Sequence, residues 1–228
     1  RLLGQPKAIY FPIEHRAQEN ELQKLSMITD DFGGNITIDY TLEGLGSYEM
    51  NNGYIAYRNL FFIMMASLYS PNVVIAQIAE WAPDKNRRFY RHAEKLLTEI
   101  GTGRFQEINI RPKIYAPFSH MTKTELVKEY LKKFPNDLTK YTVSCYSSEL
   151  TFWGKCNSCF SRHVAMTNNG IVEPYLSIPK YEDFHKRLNL ADFRVENMSM
   201  YLKRWQELRR FRHMARAKEI KYERKSGH

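Results

Sequence analysis

The three cysteines of this 228-residue chain lie within fifteen positions of one another, and this cluster constrains the fold more than any other feature. They are Cys145, Cys156 and Cys159, and the last two form a C-x-x-C pair whose turn lets both sulfurs face one ion. A soft-ligand metal ion such as zinc takes four donors in a tetrahedron, so three thiolates leave one position for a histidine, a carboxylate or water. His163, four residues after Cys159, is the nearest candidate for that position.

The cysteines also have a simpler interpretation, as reduced structural thiols that cap a loop, because free cysteine is often simply buried. A disulfide is the least favoured use, since an odd number of cysteines in a chain of this size indicates a reducing compartment and hence the cytoplasm. The longest apolar run, 60–68, is about half the length that a membrane span needs. We therefore expect no membrane partner.

The order of hydrophobic patterns predicts an α/β fold. Short apolar or alternating runs predict strands at 7–13, 36–40, 73–78 and 107–114. Helical spacing predicts helices at 14–31, after Arg58-Asn59, at 87–100 and from Thr122 onward. This alternation is typical of a Rossmann-like, doubly wound parallel sheet, in which ligands bind at the carboxyl ends of the strands. The loop 82–86 follows the third strand and lies at that edge.

Short residue patterns predict where several helices begin or end. Gly33-Gly34 ends the first long helix, and Thr122 with Glu125 forms a capping box that starts another. Beyond Arg162 the pattern predicts a helix to about Thr167. The predicted organisation is therefore a nucleotide-binding α/β domain at 1–140, a cysteine-rich zinc-ribbon insertion at 141–170 and a helical, basic C-terminal extension at 171–228.

The net charge of +9 is concentrated near the C-terminus. Residues 201–228 contain ten Lys or Arg and three Glu, which is seven of the nine excess charges. A helix predicted at 192–224 carries an apolar stripe formed by Met198, Leu202, Trp205, Leu208 and Phe211. One interpretation is a solvated charged face over a packed stripe; the other is nucleic-acid binding, in which the cations and aromatic rings contact phosphates and bases.

Three segments of the chain occur in an order that matches a known family. Arg58-Asn59 precedes an apolar helix, and Pro83-Asp84 is followed by Phe89. Thr-Lys-Thr-Glu-Leu-Val at 122–127 comes after Ala116-Pro117. The corresponding family patterns are G-R-N-x-x-F-L, Y-P-D-C-R-P-E-F and T-K-x-E-I-V, and each match is weak alone.

The fourth segment is the specific one. Thr-Val-Ser-Cys-Tyr at 142–146, Gly-Lys-Cys-Asn-Ser-Cys at 154–159 and Arg162 are similar to T-x-S-C-Y and to the zinc motif C-G-x-C-x-x-C-x-x-R. Over about residues 7–170 the chain thus resembles the 7-cyano-7-deazaguanine synthase family of queuosine biosynthesis. These enzymes belong to the adenine-nucleotide alpha hydrolase-like ATP pyrophosphatases (PP-loop proteins).

The resemblance implies an ATP-dependent C–N ligase that activates 7-carboxy-7-deazaguanine as an acyl-adenylate and converts it with ammonia to the 7-cyano product. ATP, Mg²⁺ and Zn²⁺ are the implied cofactors, with a small-molecule carboxylate as substrate. Arg58 and Lys123 are candidate phosphate or carboxylate contacts, and Asp84 is a candidate ligand of Mg²⁺ or the heterocycle. Asn59, Arg162 and Ser144 are candidate substrate or nucleotide contacts. In the simpler interpretation Arg58 and Arg162 are ordinary charges and Asp84 shapes a turn.

The chain departs from the family pattern at two places. Trp153 stands where the zinc motif has its first cysteine, and the phosphate loop S-G-G-x-D-S occurs nowhere in the 228 residues. Either that loop lies before Arg1, or this chain alone does not adenylate a substrate. The alternative function is a noncatalytic relative that binds nucleic acid or a partner protein, for instance in nucleic-acid modification or defence. A homodimer is a further expectation.

Overall fold

The computed structural model describes residues 7–51, 53–78, 84–101, 111–134, 138–146, 152–180 and 202–214. They belong to two compact units, Arg1–His120 and Met121–His228. Within the described residues, no helix is both long enough and apolar enough to cross a membrane. The predicted three-part division of the chain stays a prediction.

The first unit begins with a strand–helix–strand arrangement. Strand β1 (Ala8–Tyr10) pairs in parallel with β2 (Ile36–Ile38), and helix α1 (Gln18–Phe32) connects them. Helix α1 ends at Gly33, whose φ of 65° is the left-handed conformation that glycine adopts without steric cost. The predicted order and helix end are confirmed. Both strands are shorter than predicted. After β2 the chain turns into 3₁₀ helices at Tyr40–Leu42 and Leu45–Tyr48.

The second half of this unit repeats the parallel arrangement. Strand β3 (Asn72–Val74) pairs with β4 (Lys113–Tyr115), and α2 (Arg58–Tyr69) and α3 (Arg87–Ile100) precede and follow β3. Buried side chains of α2 and α3 form the core, namely Ile63, Tyr90, Ala93 and Leu97. Helix α3 has the predicted bounds. Of the fourth strand predicted at 107–114, residues 107–110 lie outside the described residues.

The α/β class with parallel pairing is therefore confirmed, whereas the single doubly wound sheet stays a prediction. Among the described residues the four strands form two separate parallel pairs, β1–β2 and β3–β4.

The described part of the second unit is helical. Helix α4 (Lys123–Leu131) begins with the predicted capping box, in which Thr122 and Glu125 bond each other's backbone N–H groups. A short helix, α5 (Leu138–Tyr141), precedes the first cysteine, and α6 (Asn157–Asn168) packs on α4 through Val127, Ala165 and Met166. Helix α6 begins five residues before the predicted start at Arg162.

The segment 202–214 is also helical, and the remaining parts of the predicted helix 192–224 lie outside the described residues. Phe211 is buried against Phe160 and Val164, with Leu208 beside them. The prediction that Leu202 and Trp205 lie on the same buried stripe is wrong. They are 49% and 48% exposed, because the face that packs is centred on Phe211, on the opposite side of the helix.

Candidate functional site

The three cysteine sulfurs meet in the second unit. They all lie within 4.8 Å of one another, with Cys145 and Cys159 buried and Cys156 half-buried. The backbone N–H of Trp153 donates to the Cys145 sulfur at 3.4 Å. Three thiolates at this separation, shielded from water, fit a zinc ion, which binds thiolate sulfur at about 2.3 Å.

Cys156 has a second role, as the residue that caps helix α6. Its sulfur accepts the backbone N–H of Cys159 at 3.3 Å, because Cys156 occupies the N-cap position with extended backbone. A hydrogen bond from the Cys159 thiol, together with backbone N–H groups of Tyr146, Cys159 and Ser158, lowers the pKa of Cys156 to about 5 against the opposing effect of burial. The same hydrogen bond and burial raise the pKa of Cys159. The lowered pKa favours the thiolate of Cys156, which is the form that binds metal.

His163 packs among aromatic rings and is not one of the residues of the sulfur cluster. Its ring makes edge-on contacts with the rings of Tyr175 and Phe211, at centroid distances of 5.2 and 5.3 Å. Among the described residues, the cluster that could hold a metal consists of the three cysteines. Trp153 contributes its backbone N–H to Cys145 and has no side-chain atom suited to zinc. The identity of a fourth ligand stays open.

Arg162 is buried and already has a carboxylate partner within the chain. Its Nε lies 2.9 Å from both carboxylate oxygens of Glu173, and its Nη2 lies 2.6 Å from Oε1. Its Nη1 donates to Thr142 at 2.8 Å, and the guanidinium lies over the Phe152 ring at 4.6 Å. Both side chains of the ion pair are almost fully shielded from solvent. Arg162 thus has Glu173 and Thr142 as partners within the chain, and its predicted contact with substrate stays a prediction.

Glu173 is a residue that the sequence analysis missed. It also accepts the hydroxyl of Tyr175 at 2.9 Å, and burial, followed by the charge of Glu173, raises the pKa of Tyr175. Glu173 lies eleven residues after Arg162, beyond the end of α6. The only sequence signal was a single acid in an otherwise uncharged segment, which does not identify a partner.

Gly154 brings two segments of this region into close contact. Its φ is 86°, and a Cβ at this position would lie 1.5 Å from the carbonyl oxygen of Ser177. The rings of Phe152 and Tyr175 also pack together, with a backbone bridge between the two residues. The segment around 152–154 is therefore held against 173–177, next to the cysteines.

Two other predicted residues lie in the second unit. Ser144 is half-buried and comes directly before Cys145, and Lys123 is the half-buried first residue of α4. Their predicted contacts with nucleotide or substrate stay predictions.

In the first unit, two predicted residues meet although they are 25 positions apart. The side-chain amide of Asn59 donates to Asp84 Oδ2 at 2.9 Å and to the Asp84 carbonyl at 3.4 Å. Asn59 is in the first turn of α2, and Asp84 comes just before the N-cap of α3, Asn86. Among the described residues, the second carboxylate oxygen of Asp84 accepts no side-chain hydrogen bond, so it is suited to a further interaction.

Arg58 is the first residue of α2, and it follows a residue with unusual backbone geometry. Tyr57 has φ 61°, the left-handed region, and its side chain is 70% exposed. Glycine is the residue that adopts this conformation without steric cost, and the similar family segment has glycine here. This chain therefore carries an exposed aromatic ring next to Arg58 and Asn59, at a strained position.

A polar cluster near β1 was also missed by the sequence analysis. Glu21 accepts the Tyr10 hydroxyl at 2.8 Å and lies 3.2 Å from His15 Nε2. Burial alone would raise the pKa of Glu21, but hydrogen bonds from His15 and Tyr10 and the charges of His15 and Arg58 lower it overall. Burial and then Glu21 raise the pKa of Tyr10. The sequence carried no signal for this cluster beyond an acid near a helix start.

Comparison with known proteins agrees with the family resemblance found in the sequence. The family model described as "Queuosine biosynthesis protein QueC" matches residues 13–170. A protein of Campylobacter hominis named 7-cyano-7-deazaguanine synthase is 26% identical over 183 residues, which cover 67% of this chain and 79% of the relative.

Two archaeal proteins with the same name are 28% identical to this chain. The match to the Methanococcus vannielii protein covers 55% of this chain and 57% of the relative. The match to the Saccharolobus solfataricus protein covers 73% of this chain and 40% of the relative.

Proposed function

This chain belongs to the family described as queuosine biosynthesis protein QueC, and on that premise we propose that it is an ATP-dependent ligase that converts a carboxylate on a 7-deazaguanine base into a nitrile. The observation that carries the proposal is the family match over residues 13–170, which includes the three clustered cysteines. The nitrogen comes from ammonia, which displaces AMP from the acyl-adenylate to give an amide. A second ATP then activates the amide oxygen, which leaves with AMP to form the nitrile, and each ATP releases pyrophosphate. Relatives at 26–28% identity are named as synthases for this product.

Zinc is proposed to have a structural role at Cys145, Cys156 and Cys159. Two of these three residues are buried, so little room remains for a substrate to reach the ion. The ion would hold the 145–146 segment to the start of α6, and the Arg162–Glu173 pair would support the same region from within. In this proposal Arg162 orients the cysteine segment and does not contact substrate.

The groups proposed to contact substrate in the first unit are Arg58, Asn59 and Asp84. Asp84 has one carboxylate oxygen bound by Asn59, and this bond fixes its orientation. The other oxygen is suited to accept N–H groups of the deazaguanine edge or to bind Mg²⁺. Arg58 supplies a positive charge for a carboxylate or phosphate. In the second unit, Lys123 is proposed as an anion contact and Ser144 as a hydrogen-bonding one.

The phosphate loop of the family is not part of the 228 residues. We therefore assign no residue of this chain to that loop and no step of phosphate chemistry to it. The proposed roles concern substrate orientation, and they are testable on any form of the protein that contains this chain.

The test is to incubate the metal-loaded protein with ATP, ammonium and 7-carboxy-7-deazaguanine and to measure pyrophosphate release and, by mass spectrometry, the nitrile. Both products are expected. Asp84→Ala should reduce kcat/KM by about a hundredfold or more because it removes an orienting group. Asp30→Ala removes an exposed carboxylate of α1 and should leave the rate unchanged. Absence of both products with folded, zinc-containing protein that also carries the family's phosphate loop would overturn the proposed reaction.

A further inference from the structure

The helical segment 202–214 has a buried side that its contacts define. Phe211 is 3% exposed and meets the Phe160 ring edge-on at 6.1 Å. Glu207 accepts a hydrogen bond from the Thr122 hydroxyl, and its carbonyl accepts the side-chain amide of Asn168 at 3.2 Å. Because apolar packing and polar bonds both fix this side, the opposite face of the helix points to solvent.

The outward face is rich in cations and carries a tryptophan. Trp205 is 48% exposed, and the Arg209 guanidinium lies 5.5 Å from the centre of its ring. Arg209, Arg210 and Arg212 are exposed. Trp205, Arg209 and Arg212 are spaced by four and three residues, so they lie in one row. Within 202–214, the one acid, Glu207, belongs to the buried side of the helix.

We propose that the row formed by Trp205, Arg209 and Arg212 binds single-stranded nucleic acid. An unpaired base stacks on the Trp205 ring, and the guanidinium groups bind the adjacent phosphates. This is a second binding function, separate from the small-molecule chemistry proposed above. The sequence that follows is also basic, since 215–228 contains five Lys or Arg and two Glu.

A membrane-binding role and a purely solubilising role both fit this row less well. A basic amphipathic helix that lies on a membrane must insert its apolar side, but here Phe211 and Leu208 are packed inside the protein. A face that only keeps the protein in solution needs no tryptophan, and solvated helix faces usually mix both signs of charge. An exposed ring with a cation on its face is the arrangement that single-stranded sites use to stack bases.

The proposal is tested by fluorescence anisotropy with the full chain and labelled RNA and DNA strands of about 20 nucleotides, longer than the ~4–16 nucleotides that one such site covers. Binding to either strand is expected, with an affinity that falls as salt rises. Arg209→Gln combined with Arg212→Gln should weaken binding and reduce the slope of log K against log salt by about 0.7 per lost phosphate contact. Trp205→Leu should weaken binding about tenfold and leave that slope unchanged.

The matched control is the double variant Lys95→Gln, Lys132→Gln, which removes two exposed, ion-paired cations from α3 and α4. It should bind as the unchanged protein does, and circular dichroism should show that every variant is folded. Trp205→Phe keeps an aromatic ring and should retain most of the affinity.

Three results would overturn the proposal. The first is no binding to either strand, and the second is an equal loss of affinity in the control variant. The third is tighter binding to polyglutamate, or to vesicles of phosphatidylcholine and phosphatidylserine, than to either strand, if that tighter binding depends on Trp205. None of these results depends on catalytic turnover, so the proposal stands or falls separately from the proposed reaction.

Discussion

Two pairs of polar side chains, each with at least one residue that the sequence analysis singled out, differ in burial and in the number of bonds that join the partners. Arg162 and Glu173 in the second unit form three nitrogen–oxygen contacts of 2.9 Å or less and are almost fully buried. Asn59 and Asp84 in the first unit share one good hydrogen bond and are half-buried. In the first pair both carboxylate oxygens of Glu173 are bonded by Arg162, whereas among the described residues only one carboxylate oxygen of Asp84 accepts a side-chain bond.

This difference shows how to separate structural from functional residues in the chain. A buried ion pair with every lone pair and proton satisfied is closed to ligands, and removing one partner leaves an uncompensated charge. A half-buried pair at a helix start loses little stability when changed, so its effect should be on binding. The cysteine region should therefore respond in stability, and the Asn59–Asp84 region in activity.

The largest effect expected for the cysteine region is that of Cys156→Ser. It removes a metal ligand but keeps a hydroxyl that can cap α6, so the effect reports on the metal, and structural zinc contributes about 10–16 kcal/mol to folding in small zinc domains. We expect about one zinc per chain in the unchanged protein and near-complete loss in the variant, with partial unfolding of the second unit. Elemental analysis measures the zinc content, and circular dichroism measures the unfolding.

Ser158→Ala, between the two cysteines of the C-x-x-C pair, is the matched control and should keep its zinc. A Cys156→Ser protein that retains its metal and its stability would contradict the assignment of these sulfurs as zinc ligands.

Glu173→Gln should have the next largest effect. It leaves Arg162 buried without a counter-charge, which costs about 3–5 kcal/mol. Urea denaturation measures the loss. Glu129→Gln breaks an exposed pair with Lys132 and should cost about 0.5 kcal/mol or less. If Glu173→Gln abolished activity at unchanged stability, Arg162 would be a substrate contact after all and the contrast between the two pairs would be lost.

Substitution of Glu21 should have an intermediate effect on the free energy of unfolding, because its polar cluster is partly exposed. A carboxyl group with a lowered folded-state pKa stabilises the fold above its unfolded pKa and loses that contribution as pH falls through the folded value. Glu21→Gln should therefore cost about 1–2 kcal/mol at pH 7, allowing for solvent screening, and progressively less from about pH 5 downward. Urea denaturation across this pH range measures it. Glu19→Gln, an exposed change in the same helix turn, should show no such trend.

Tyr57→Gly should have the smallest effect on the free energy of unfolding, and unlike the other substitutions it should stabilise the protein. Glycine removes the cost of a left-handed non-glycine residue, about 1 kcal/mol, and little buried surface is lost because the ring is 70% exposed. Urea denaturation should show a gain of up to that amount. Tyr48→Gly is the control, since Tyr48 is 73% exposed and does not have a positive φ, and it should not stabilise the protein. A loss of stability in Tyr57→Gly would show that the exposed ring makes a contribution that its contacts do not explain.

Features determined by neighbouring residues were predictable from the sequence. The capping box of Thr122 and Glu125, the end of α1 at Gly33 and the bounds of α3 all follow from interactions within a few positions. The closeness of the cysteine sulfurs followed from their spacing. The pairing of Asn59 with Asp84 was suggested only by their common place in a family pattern.

Features determined by packing were not predictable. The partner of Arg162 depends on how the segment after α6 returns to it, and nothing near Glu173 in the sequence indicates that path. Helix α6 starts before its predicted position because a cysteine serves as its cap, a role usually filled by Ser, Thr, Asp or Asn. Trp205 follows the apolar spacing of Leu208 and Phe211, yet only tertiary contacts decide which of them is buried.

The close approach at Gly154 has an evolutionary consequence. No side chain fits between this residue and the Ser177 carbonyl, so a substitution at 154 would displace the backbone of a segment more than twenty residues later. Homologues that vary at one of these two places should vary at the other as well. We therefore expect the cysteine segment and the stretch packed against it to change together, and a chimera that exchanges only one of them should fail to fold.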